Sequence, residues 1–236
     1  MAEYTNEQLA ATIEKMQLEI ERLQAVLAIQ NVLGRYVNLH SASRQEETCE
    51  LFALDTPGCR AVFNGNIYEG RAGIERHFLG LLKESEKDLR GRLFVHDLVT
   101  PVIEVAADGQ SAKTVWSTIG METCLNEDGS LQSLWNYGKY RFDFVKENGE
   151  WKIYRLYLHG CYNTPYEGKG WSDDPFPVEH ANKQIDNWDP RWAPDGRTKV
   201  PTKPFSVETA DCDLHNMIPA PPVPYDTWDE GIECNI

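Results

Sequence analysis

Residues 151–162 read WKIYRLYLHGCY. Taken every second position, one side carries Trp151, Ile153, Arg155, Tyr157 and His159, and the other Lys152, Tyr154, Leu156 and Leu158. Alternation with this share of aromatic and branched residues predicts a strand. A strand with one dry and one wet face sorts its polar groups better than this. An arginine, a tyrosine and a histidine in phase with an isoleucine imply a surface that starts as core and ends as something else.

Working outward, three more long runs precede it: GRLFVHDLVTPVIEVAADG (91–109), QSAKTVWSTIGMETCLNEDG (110–129) and SLQSLWNYGKYRFDFVKENG (130–149). Each hands over to the next through Asp108-Gly109, Asp128-Gly129 or Asn148-Gly149, which are hairpin-turn pairs, so an antiparallel meander is expected. Upstream the period changes. Residues 4–43 read as one long helix in which Leu9, Ile13, Met16, Ile20, Leu23 and Leu27 are spaced 4, 3, 4, 3, 4, a heptad seam, with Thr5 or Asn6 as its cap. Beyond Leu27 a second stripe, Ile29, Val32, Leu33 and Tyr36, takes over. The seam fits either an amphipathic helix lying on its own domain or a helical arm that pairs with another subunit. QEETCELFA (45–53) predicts a short helix, residues 55–70 a short hairpin with turns at Thr56-Pro57-Gly58 and Asn64-Gly65, and residues 71–87 a further helix through Ile74, Phe78, Leu81 and Leu82. Helices first and a bent antiparallel sheet afterwards make an α+β protein.

The last third is different material. Eleven of the thirteen prolines follow Thr164, together with Trp171, Trp188, Trp192, Tyr225 and Trp228. Proline at that density prevents regular structure, while so many large aromatics predict an extended arm laid on its own or a neighbouring subunit. The expected organisation is a helical extension (1–24), a domain (25–162) and an arm (163–236).

With 236 residues the chain can bury a full core, and its net charge of -14 argues against nucleic acid or an anionic membrane surface as partner. No apolar run approaches the roughly 20 residues of a membrane span, and MAEYTNEQLA lacks the features of a signal peptide, so a cytoplasmic location is expected. The six cysteines are scattered, without CxxC or zinc spacing, and read as reduced thiols filling the core. Phosphate-loop, dinucleotide and nucleophile-elbow signatures do not occur.

The motifs IQNVLGRY, ELFA, YEGRAGIERHF, HDLVTPVIEV, AKTVW and GKYRFDFVKENGEWKI, in this order over residues 25–162, resemble the SnoaL-like branch of the nuclear transport factor 2-like superfamily. The resemblance implies a sheet wrapped into a cone, packed on N-terminal helices at one end and surrounding a ligand cavity at the other. It implies that Ile153 packs while Arg155, Tyr157 and His159 look inward. By the same logic His96 opens a strand toward the cavity. Trp116, Thr118 and Glu122 share one phase of the next strand, and Asn136 and Tyr140 one phase of the strand after it unless a bulge exchanges them with Trp135 and Tyr137. Tyr36 and His40, one helical turn apart, reach the cavity floor.

Relatives that act as isomerases, cyclases or dehydratases frequently carry an aspartate just after the RY helix element. Here Asn38, His40 and Ser41 stand instead. What remains suits general acid–base work by His96 and His159, with Tyr140 and Arg155 holding a developing oxyanion. Tyr36, His40, Trp116, Glu122, Asn136 and Tyr157 are expected to bind a hydrophobic, oxygenated substrate. Dehydration or retro-aldol cleavage by such a set needs no cofactor and no metal. The superfamily includes scytalone dehydratase, bile-acid dehydratases and lignin-dimer lyases that release formaldehyde. The expected activity is therefore a cofactor-independent lyase, the alternatives being a non-catalytic binding or assembly module and an isomerase or cyclase. A homo-oligomer, dimer or trimer, is expected. His77, on an outer helix, and His180 and His215, in the tail, read as surface groups.

Overall fold

The computed structural model describes residues 4–63, 66–82, 90–126, 128–167, 197–199 and 219–229. His180, His215, Trp171, Trp188, Trp192 and the Asn64-Gly65 turn lie outside them. The elements are helices α1 (Asn6–Ser41), α2 (Gln45–Cys49) and α3 (Gly70–Glu75), the last running into a π-helical turn (Arg76–Leu82), and strands β1 (Arg60–Phe63), β2 (Asn66–Glu69), β3 (Phe94–Val105), β4 (Ser111–Leu125), β5 (Leu131–Glu147), β6 (Glu150–Pro165) and β7 (Arg197–Lys199). They form one strongly curved, unclosed sheet in the order β3-β4-β5-β6-β1-β2-β7.

The four long strands pair antiparallel in sequence, as their turns require. Asn148 and Gly149 both take positive φ, 54° and 83°, which is the backbone of a two-residue hairpin between Glu147 and Glu150. The sheet is mixed rather than purely antiparallel, because β1 joins β6 in parallel. A parallel pair needs a long connection, and here it comprises β2, α3, the π-helical turn and strands β3–β5 of the same sheet.

α1 packs across the concave side. Ala25, Ile29, Leu33 and Tyr36 are buried there, with Phe52, Phe78, Phe142, Phe144, Ile153 and Leu156 in the same core. Tyr36 sits edge-on to Phe52, Phe78 and Phe142 at centroid distances of 6.3, 6.3 and 5.6 Å. Cys49 and Cys59 are buried free thiols, and burial pushes both up to about 12.

The sequence reading of β6 is corrected by one residue. Asp143 pairs with Arg155 and Phe144 with Ile153, so Tyr154 is an extra residue in β6. A bulge of this kind inverts the alternation beyond it. Ile153, Leu156 and Leu158 pair with Phe144, Phe142 and Tyr140 on the helix side, whereas Arg155, Tyr157 and His159 pair with Asp143, Arg141 and Lys139 on the outer side. The polar row therefore does not line the concave face. Its first member, Arg155, lies beneath residues 219–229: Trp228 stands 5.2 Å from the Arg155 guanidinium, and the Tyr225 and Trp228 rings stand 4.5 and 5.1 Å from the neighbouring Lys113 Nζ.

His77 is also corrected. It is 5% exposed, stacked on Phe63 at 4.1 Å and flanked by Tyr68 and Phe78. The π-helical turn carries Arg76, His77 and Phe78 inward together, which a 3.6-residue period does not anticipate. Burial, reinforced by His40, pushes its imidazole down to about 3. Between pH 6.5 and 3 the unfolded chain binds a proton that the folded chain refuses, so stability falls with falling pH by about 1.4 kcal/mol per unit from this residue. His77→Phe flattens the plot of unfolding free energy against pH between 6 and 4, measured by urea denaturation; an unaltered slope contradicts this.

Candidate active site

The chemistry-bearing groups on the concave side gather where the end of α1 meets β3 and β4. His96 pairs in register with Gly120, and Glu122, two residues on, faces the same way. His96 Nε2 and Glu122 Oε1 are 2.7 Å apart. His40 enters from the last turn of α1, its ring stacked on Tyr36 at 5.8 Å and on His96 at 6.1 Å. Its Nδ1 lies 3.4 Å from Gln45 Oε1 of α2. Tyr140, from β5, is buried and stacked on Phe142.

Electrostatics divide the roles. Burial alone would raise the Glu122 carboxyl, but the hydrogen bond and charge of His96, the charge of His40 and a hydrogen bond from Asn136 outweigh it and hold it below its ordinary value. Glu122 is thus ionised at neutral pH and can only accept, so the proton between the pair belongs to His96 Nε2. In the neutral imidazole Nδ1 then carries the lone pair, and that atom is buried without a protein hydrogen-bond partner, as are Tyr36 Oη and Thr118 Oγ1. Burial, then His96, pushes His40 down to about 4, against upward pulls from Gln45 and Glu122. Tyr36 and Tyr140 are raised by burial and stay protonated.

His40, His96, Glu122, Asn136, Tyr36 and Tyr140 are therefore brought together. Asn136 keeps its phase because the bulge near Tyr137 falls on β6, not β5. Trp116 belongs to the core, its indole N–H donating to Thr114 Oγ1 at 3.0 Å. Arg155, Tyr157 and His159 are separated from this group by the sheet itself. Tyr157 Oη there accepts from Arg60 Nε at 2.9 Å, and burial, with Arg141 and Lys139, pushes His159 down to about 4. Among the described residues no group of three or more His, Cys, Asp and Glu is placed to hold a metal ion.

Sequence reasoning passed over Gln45 and Gly120. The first carried no signal; the second did, since a glycine inside a strand marks a close approach. A Cβ at 120 would stand 1.8 Å from Asn136 Oδ1, so the bare backbone is what lets the carboxamide lie across β4 toward Glu122. Gly120→Ala displaces it, and losing a hydrogen bond to a charged group is worth about 1.5–3 kcal/mol. The Glu122 titration, followed by carboxyl NMR, moves upward by one unit or more; an unmoved titration refutes the role of Gly120.

A family model for the SnoaL-like domain matches residues 21–157. The chain belongs to the SnoaL-like family. Solved structures share the fold: a type 2 hexachlorocyclohexane dehydrochlorinase, LinA, is 16% identical, with 67% of this chain and 99% of that chain covered and a TM-score of 0.53. The LinA type 3 enzyme of Novosphingobium barchaimii LL02 is 17% identical, with 66% and 99% covered and a TM-score of 0.51. A protein described as a candidate scytalone dehydratase of Novosphingobium aromaticivorans DSM 12444 is 20% identical, with 64% and 94% covered and a TM-score of 0.49. At these identities the likeness is one of fold. No curated protein matches the chain. No helix among the described residues is long and apolar enough to cross a membrane.

Proposed function

We propose that this SnoaL-like protein is a cofactor-independent lyase, in which His96 removes a proton from a hydrophobic, oxygenated small molecule and a hydroxyl or a small aldehyde departs. The observation that carries it is the 2.7 Å bond from His96 Nε2 to the Glu122 carboxylate, with Nδ1 buried and unpartnered on the opposite edge of the ring. A carboxylate that fixes the tautomer and stabilises the imidazolium is the support a histidine base needs. In a dehydration, Nδ1 takes a proton from carbon, the C–H pair becomes the new double bond, the C–O bond breaks, and the imidazolium returns the proton to the leaving hydroxide as water. In the carbon–carbon cleavage, Nδ1 takes the hydroxyl proton, the C=O bond of the aldehyde forms as the C–C bond breaks, and the carbon left with that bond's electron pair takes the proton back from the imidazolium. Tyr36 and Tyr140, kept as neutral phenols, donate to the oxygen that gains charge, and Asn136 steadies Glu122. Proton removal with expulsion of a leaving group is also the reaction that the name dehydrochlorinase, borne by two of the similar structures, describes.

The test is incubation with diaryl diols, hydroxysteroids and phenolic alcohols while ultraviolet absorbance is followed for a new conjugated double bond, with formaldehyde measured in parallel. Turnover without added cofactor or metal is expected on at least one class. Tight binding of one compound with no turnover of any overturns the lyase reading in favour of a binding module.

A further inference from the structure

α1 has two apolar faces. At 3.6 residues per turn, Leu18, Arg22, Ala25, Ile29, Leu33 and Tyr36 fall on one side of the helix, and Leu9, Ile13, Met16, Ile20, Leu23 and Leu27 on the opposite side. The first set serves the domain: Arg22 donates to Val105 O at 3.0 Å, the Gly109 turn lies against Leu18 and Arg22, and Ala25 to Tyr36 enter the core. The second set turns away from the sheet and is 46–69% exposed. The two stripes are thus simultaneous faces of one straight helix, and its own sheet cannot cover the second.

We propose that this second face pairs with the same face of another copy of the chain, as a parallel two-stranded coiled coil over residues 9–27. Three features select that occupant. The 4-3 spacing keeps the six side chains in line along a partner helix with the same repeat, which a globular surface does not require. Within the heptad, Ile13, Ile20 and Leu27 take position a and Leu9, Met16 and Leu23 position d, and isoleucine at a with leucine at d favours two parallel strands. The flanking e and g positions hold Ala10, Gln17, Gln24, Thr12, Glu19 and Val26. On a chain of net charge -14 the flanks therefore bring one charge per copy to the seam, and in parallel register Glu19 faces the Gln24 amide of the other copy. A three-heptad helix is marginal alone, but this one is nucleated by its docked second half and closed by the Thr5–Gln8 capping box.

Sedimentation equilibrium of the full chain at micromolar concentration tests it. A mass twice the 26.9 kDa of the chain is expected, falling to that of one chain in the double variant Ile13→Glu, Ile20→Glu with its circular dichroism spectrum retained, because both side chains are exposed in the protomer. Mild oxidation of Leu23→Cys yields a covalent dimer well above the background of the unsubstituted chain. A monomeric full chain, a trimeric mass, a dimer that survives the double substitution, or a dimer whose Leu23→Cys variant fails to cross-link overturns the proposal.

Discussion

His96→Ala lowers kcat/KM by roughly 10²- to 10⁴-fold, the range of a lost general base, on whichever substrate the absorbance assay identifies. Glu122→Gln is expected to fall within the same range. A glutamine at 122 can no longer stabilise an imidazolium, and its amide can offer a hydrogen to Nε2 and so reverse the tautomer. His159→Ala supplies the contrast. Its imidazole lies across the sheet, stacked on Tyr157 at 6.2 Å, and its loss leaves turnover within a few-fold. Should His159→Ala abolish turnover and His96→Ala spare it, the base has been assigned to the wrong side of the sheet.

Asp143→Ala destabilises the fold by about 3–5 kcal/mol, the cost of removing one partner from a buried ion pair. Asp143 is fully buried, with its two carboxylate oxygens 3.1 and 3.3 Å from Arg141 Nε and Nη2, and Arg155 and Lys113 also act on it. Burial nonetheless raises its carboxyl above the ordinary value, outweighing Arg141, Arg155 and Lys113. The severe step is therefore removing the buried carboxylate on which Arg141, Arg155 and Lys113 converge. Urea denaturation measures it, and a loss below about 1 kcal/mol would show that water or residues 219–229 satisfy these cations unaided. The expected order is Asp143→Ala worse than Asp143→Asn, since the amide keeps an acceptor for Arg141.

The outer-side network also shows how a reading of one strand fails. Residues 155–159 alternate among themselves as the chain predicts, but the extra residue at Tyr154 puts Arg155, Tyr157 and His159 out of phase with Trp151 and Ile153. Nothing in WKIYRLYLHGCY marks the bulge; it is created by pairing with β5, whose Asp143 and Phe144 take Arg155 and Ile153 as neighbours. The sites on β3, β4 and β5 fared differently. His96, Glu122 and Asn136 do face the helices, because β4 pairs with β5 without a slip and β3 with β4 without one until Val99. What their spacing could not tell was that Glu122 would reach back across the strand pair to His96, so that a residue assigned to substrate contact became the histidine's partner.

Local chemistry by itself determined the order of helices and strands, the meander with its glycine turns, the heptad seam and the family resemblance, since each rests on neighbours within a few residues. Only the tertiary structure decided the parallel placement of β1, the inward turn of His77, the face taken by Arg155, Tyr157 and His159, and the His96–Glu122 bond. Side-chain direction along a strand repeats every two residues, so a single inserted residue, visible only against the partner strand, exchanges the two faces of all that follows.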